Sequence, residues 1–174
     1  MDWTTMHFHS EVKINGTWHH NSEHKIDLNN PLFAKMANVE NTNPDFYEIP
    51  IAMPKGIPKD VTLLTELHWN KHKKHYATHS ASWLNAHEIN DLHQWIHANA
   101  EQPELTNWYW FENETAHRWI RLHFPMFMGI TFDAFVESLK TVENSDSLWQ
   151  RYNVDDVRYV FWFESIGVNG LQYV

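Results

Sequence analysis

The sequence predicts an α+β fold in which an N-terminal β-hairpin and a C-terminal strand share one mainly antiparallel sheet, packed with four to five helices. Three observations carry this expectation. Met6, Phe8, Ser10 and Val12 alternate with His7, His9, Glu11 and Lys13, the period of two that marks a half-buried strand. Asn15-Gly16 then precedes Thr17-Trp18-His19. Asn-Gly between two such runs is a strong hairpin signal, because both residues accept positive φ in a type I′ turn. Near the other end, Val157, Tyr159, Phe161 and Phe163 alternate with Arg158, Val160, Trp162 and Glu164. A strand with apolar residues on both faces belongs in the middle of a sheet.

The helices are expected between these strands. Asn29-Asn30-Pro31 ahead of LFAKMANV combines an Asn N-cap with Pro at the first helical position, and Leu32, Phe33, Met36 and Val39 form the apolar stripe. Residues 40–58 carry Pro44, Pro50, Pro54 and Pro58 and read as an ordered loop. Asp60 is placed to cap a helix carrying Val61, Leu64 and Leu67. That stripe stops at Trp69, so the helix should end near 70–74 and leave His75 and His79 in a loop. Asn85 with Glu88 makes a capping box, Leu84 and Ile89 stand at staple spacing, and Ile89, Leu92 and Ile96 form the stripe that follows. After Pro103 the aromatic segment is ambiguous and allows a helix up to about Phe124, with Phe111, Trp119 and Leu122 sharing a face. Thr131 caps a last helix, FDAFVESLKTV, with Phe132, Phe135, Val136 and Leu139 inward. Neither repeat nor linker interrupts the chain, so 1–174 reads as a single domain.

Composition narrows the function classes. With 174 residues, 43% of them hydrophobic, the chain can bury a core large enough to offset its ordering entropy. A formal net charge of −9 argues against a partner that is polymeric nucleic acid, whose binding depends on neutralising phosphates. A pocket for one nucleotide needs only a few local cations and survives that test. The absence of cysteine removes disulfides, Cys-zinc sites and thiol catalysis. The opening MDWTTMHFHSEV lacks a basic region followed by an apolar run, and no stretch approaches the ~18 apolar residues that span a bilayer. The expectation is a soluble, cytoplasmic protein with no membrane partner.

Fourteen histidines invite a metal reading. In HWNKHKKHYATH, His68, His72, His75 and His79 follow at spacings of four, three and four. On one continuous helix their rings would share a stripe roughly 60° wide. Because the helix is expected to end part-way, the stripe reads as a coincidence in a histidine-rich chain. HxxxH pairs occur at 68/72, 75/79 and 93/97, among others. Such a pair can hold zinc, but a catalytic site needs a third ligand and a base. HQWIH has Gln94 where the HExxH motif has Glu, and HEIND ends in Asp91. His7-Phe8-His9 with Glu11 points three ligand-type side chains to one strand face, as in several metallohydrolases and in cupins. Lys13 and Ile14 stand where the cupin pattern wants its Glu. There is no pair of H-x-[ST] tripeptides, since His79-Ser80-Ala81 and His7-Phe8-His9 lack the third-position hydroxyl, and GxSxG, P-loop and GxGxxG are absent. Asp155, Asp156 and Glu164 read as turn or cap residues ahead of acid–base groups. Trp69, Tyr76, Trp83 and Trp108-Tyr109-Trp110, near Lys55, Lys59, Lys71 or Arg158, suit a nucleotide pocket better than a long polyanion.

Taken as an ordered set, HFHSEVKINGTWHH, NNPLFAKMANV, PIAMPKGIP, THSASWL and DDVRYVFWF resemble a family of small proteins encoded by tailed bacteriophages and prophages. There, an opening hairpin precedes LFAxLAxVR-, PRGLPDD-, GHSHSWL- and DVRFVFWFDN-like segments. The likeness runs from residue 7 to about 164 and is weakest over 100–150. It implies action in the cytoplasm of an infected bacterium but brings no established activity. Lys55 and Trp83 match the pattern, whereas His79-Ser80-Ala81-Ser82 stands where the family has HSHS, so any mechanism needing both imidazoles is put in doubt.

The expectation is a counter-defence protein that sequesters a nucleotide-derived immune signal, a cyclic dinucleotide or an ADP-ribose derivative, without chemistry or cofactor. Trp83 would stack on a base, Lys55 and Arg158 would meet phosphate, and His79 and Ser82 would bond the sugar or base. A pocket built between subunits would make the protein a homo-oligomer. The first alternative is a metal-dependent phosphoester hydrolase using His7, His9 and a histidine from 68–79, such as His79. The second is an inhibitor that docks on a host protein through exposed aromatics.

Overall fold

Asn15 and Gly16 adopt φ values of 49° and 80°, both positive as a type I′ turn requires, and they join β1 (Trp3–Ile14) to β2 (Thr17–Asp27). The Gly16 N–H also donates to Asp155 Oδ2 at 2.7 Å, tying the turn to the last strand. A computed structural model describes residues 3–27, 30–42, 44, 47–99 and 154–166. Within them the order is β1, β2, α1 (Asn30–Ala37), α2 (Leu63–His72), β3 (Thr78–Leu84), α3 (Ala86–Asn99) and β4 (Val154–Ile166).

The four strands form one sheet in the order β2-β1-β4-β3, with every neighbouring pair antiparallel. The expected α+β class, the opening hairpin and the central final strand are all present. The described residues contain three α-helices, so a count of four to five is not supported among them; the helices expected after Pro103 and at Thr131 lie outside the described residues. His79, expected in a loop, lies on strand β3, which runs through THSASWL, while His75 lies in the turn before it. Ser80 sits at φ 53° where the β3–β4 register shifts, and the Gly56 N–H from the preceding loop donates to the Ala81 carbonyl there. That kink explains why β3 shows no clean alternation.

The two faces of the sheet differ in chemistry. On one, Met6, Phe8 and Val12 of β1 and Val157, Tyr159, Phe161 and Phe163 of β4 pack with Leu32, Phe33 and Met36 of α1 and Ile89 and Leu92 of α3. The α3 cap is reciprocal: the Glu88 N–H donates to Asn85 Oδ1 at 2.9 Å and the Asn85 N–H to Glu88 Oε1 at 3.1 Å. The opposite face carries His7, His9 and Glu11 beside Trp162, Val160 and Arg158 in register, and α2 lies over it. Among the described residues no helix is long and apolar enough to cross a membrane.

Candidate metal centre

The sequence leads one to expect Leu64 and Leu67 inward on α2; both are exposed, as is Leu63. The inward stripe is Thr65, His68, Trp69 and His72, at i, i+3, i+4 and i+7. What turns the helix this way is Glu11. Its carboxylate, fully buried on β1, accepts the Thr62 N–H at 2.8 Å and the hydroxyls of Thr62 and Thr65. Thr62, the N-cap, makes no side-chain cap bond of its own, so a strand supplies the anion that the helix N-terminus favours. Arg158 Nε donates to the other Glu11 oxygen at 2.8 Å, which compensates the buried charge.

With its first turn fixed, α2 delivers His68 and His72 onto the histidines of β1. Ligand atoms of His7, His68 and His72 all lie within 4.8 Å of one another. The His7 and His72 ring centroids are 4.3 Å apart, and those of His68 and His72 are 4.7 Å apart. Glu164 of β4 closes the group: its Oε2 lies 3.1 Å from His7 Nε2 and 3.6 Å from His72 Nδ1, and its Oε1 is 4.0 Å from His75 Nδ1. Trp162 forms the floor, stacked against His7 and edge-on to His68, and its buried indole N–H meets no partner among the described residues. Three imidazoles are a donor set for zinc or a similar divalent transition metal, with the Glu164 carboxylate beside them.

A second group, His9, Glu23 and His68, also gathers ligand atoms within 4.8 Å. One distance decides against it. His9 Nε2 and His68 Nδ1 are 2.7 Å apart, whereas two nitrogens on one tetrahedral zinc stand about 3.3 Å apart. That contact is a hydrogen bond. His9 Nδ1 lies 3.0 Å from His20 Nε2, so His20, His9 and His68 form a chain of three rings leading to the first group.

Burial favours the neutral form of His9, His20, His68 and His72, the form in which an imidazole keeps a lone pair for an ion. Burial, then the neighbouring His68, His20 and His7, pushes the His9 pKa down to about 3. Burial likewise lowers His68 and His72, with His7 adding to both and Glu164 opposing at His72. His20 is lowered by burial against the pull of Glu11 and Glu23.

The residues expected to hold a nucleotide fall apart. Lys55, Ser82 and Trp83 do meet at the β3 edge: Lys55 Nζ lies 4.3 Å from the Trp83 ring centroid, and the Lys55 N–H donates to Ser82 Oγ at 3.2 Å. The Lys55 charge is paired with Glu88 at 2.6 Å, and Ser82 is buried. Arg158 is engaged by Glu11, by Asp60 Oδ1 at 2.7 Å and the Asp60 carbonyl at 2.9 Å, and by the Trp18 ring 3.9 Å from Cζ. Arg158 is buried and each of its guanidinium nitrogens already donates, so it is not open to a phosphate. His79 also fails to join His7 and His9. Its ring stacks on Phe163 on the opposite face of the sheet, and its Nε2 lies 2.7 Å from Ser165 Oγ.

His68 and His72, read from the sequence as part of a chance stripe, thus belong to the candidate site. Their signal was the match between two polar stripes, 65/68/69/72 on a helix and 7/9/11 on a strand. Compared with protein-family models, with curated proteins and with solved structures, the chain matches none.

Proposed function

We propose that the protein is a divalent-metal-dependent hydrolase acting on a phosphoester, with His7, His68 and His72 as ligands and Glu164 beside them. The observation that carries this reading is the convergence of three imidazoles, from a strand and a helix, on one carboxylate. Three protein ligands leave a fourth position for water, and a zinc ion there would lower the pKa of that water towards 7. Glu164, beside His7 and His72, would take the proton of the attacking water as general base, and the alcohol side of the ester would leave from phosphorus. Lys71, Lys73 and Lys74 are exposed at the end of α2 and provide positive potential for an anionic substrate. The resemblance to phage proteins adds a setting, the cytoplasm of an infected bacterium, and makes a nucleotide immune signal the substrate of choice.

The test begins with untagged protein stripped by chelator, reloaded with zinc or manganese, and assayed for bound metal and for hydrolysis of bis(4-nitrophenyl) phosphate. One ion per chain and measurable turnover are expected. His72→Ala should lose both, while Glu164→Gln should keep metal and lose turnover by about 100-fold or more, the scale of a general base. A chain that takes up no metal sinks this reading. Incubation with cyclic dinucleotides and ADP-ribose, followed by mass spectrometry of what heat-denatured protein releases, then separates outcomes: a cleaved product favours the hydrolase, an intact ligand the sequestering protein.

A further inference from the structure

We infer that His9, itself held by His20, is the positioning residue that sets the tautomer of His68 and so decides which of its nitrogens can hold metal. The inference rests on the metal reading of His7, His68 and His72. A neutral imidazole has one N–H and one lone pair. His68 Nδ1 is taken by His9 at 2.7 Å, which leaves Nε2 as the nitrogen free for an ion. Nε2 can ligate only if the ring proton is on Nδ1, so His68 must donate to His9 Nε2. His9 then carries its own proton on Nδ1 and donates to His20 Nε2, 3.0 Å away. The opposite proton order is equally complete as hydrogen bonding but puts a proton on His68 Nε2 and blocks it. Two rings therefore do what a carboxylate or backbone carbonyl does behind most metal-bound histidines. His9 is fully buried, so no water competes for this bond.

Gln and Leu are close in size, and only Gln offers an acceptor where His9 Nε2 stood. Zinc affinity is measured by competition with a chromogenic chelator, alongside thermal melts of the apo forms. His9→Leu should weaken zinc binding by about 10–100-fold, the usual effect of losing such a partner. His9→Gln should recover most of that loss. Equal losses in both variants would reduce His9 to packing and overturn the inference, as would wild-type affinity in His9→Leu. Should a variant fail to fold, ring-nitrogen NMR of the wild-type protein with zinc decides: a proton on His68 Nδ1 supports the assignment, and one on Nε2 overturns it. Wild-type protein that binds no zinc removes the metal reading itself, a result distinct from either variant outcome.

Discussion

Glu11 divides its two oxygens between Arg158 on one side and the threonines that begin α2 on the other. A carboxylate with no exposed surface is costly unless paired, and here the same pair also holds the helix that carries His68 and His72. Arg158→Met should cost about 3–5 kcal/mol, because it strands a buried charge. Glu11→Gln/Arg158→Met, which removes both charges and keeps an acceptor for Thr62 and Thr65, should lose clearly less. Urea unfolding of the two proteins measures this. A double variant as unstable as the sum of its single changes would mean that the pairing does not explain the burial. This network also explains why Arg158, attractive in the sequence as a phosphate ligand, is unavailable: two carboxyl residues and Trp18 already claim it.

At the scale of elements, β1 and β4 were legible because each carries its periodicity within a short window, β2 because Asn15-Gly16 signals a hairpin, and α1 and α3 because caps and apolar stripes agree. α2 was not. Its leucines suggested a buried face, yet its inward stripe is polar and aromatic, and the partner that makes such a stripe worth burying is Glu11, 51 positions from Thr62 in the chain. Local pattern cannot register a contact of that separation. The same blindness hid the candidate metal site: His7 on one side, His68 and His72 on the other, each ambiguous until the sheet face and the helix meet. β3 was missed because the kink at Ser80 erases its alternation. A substitution distinguishes the two orientations of α2. Leu67→Lys should change stability by no more than about 0.5 kcal/mol if the residue is exposed as described. Buried, its loss would cost about 2–5 kcal/mol. Thermal or urea denaturation of this one variant gives the answer.

For the whole molecule, acid stability is where two general forces oppose each other. The chain carries −9 at neutral pH with a pI near 5.8, so acidifying towards that pH relieves self-repulsion and on its own would stabilise the fold. The histidine layer pushes the other way. His9 is lowered to about 3, and His20, His68, His72 and His79 are lowered mainly by burial. In the unfolded chain these rings take up protons near pH 6.5, whereas in the folded protein they resist. Between those values the unfolded state binds more protons, so stability is complete above about pH 6.5 and is lost progressively as pH falls towards 3. Asp60, held below its ordinary value by its bond to Arg158, adds a loss of the same sign only in stronger acid. Surface repulsion is diffuse and screened at physiological salt, while the histidine effect acts at short range in a buried layer, so the second should win. Melting curves of metal-free protein at 0.15 M salt should therefore show Tm falling from pH 7.5 to 5.5, with His9→Gln flattening the slope. A Tm that instead climbs towards the pI would mean that relief of the net charge outweighs the histidine layer.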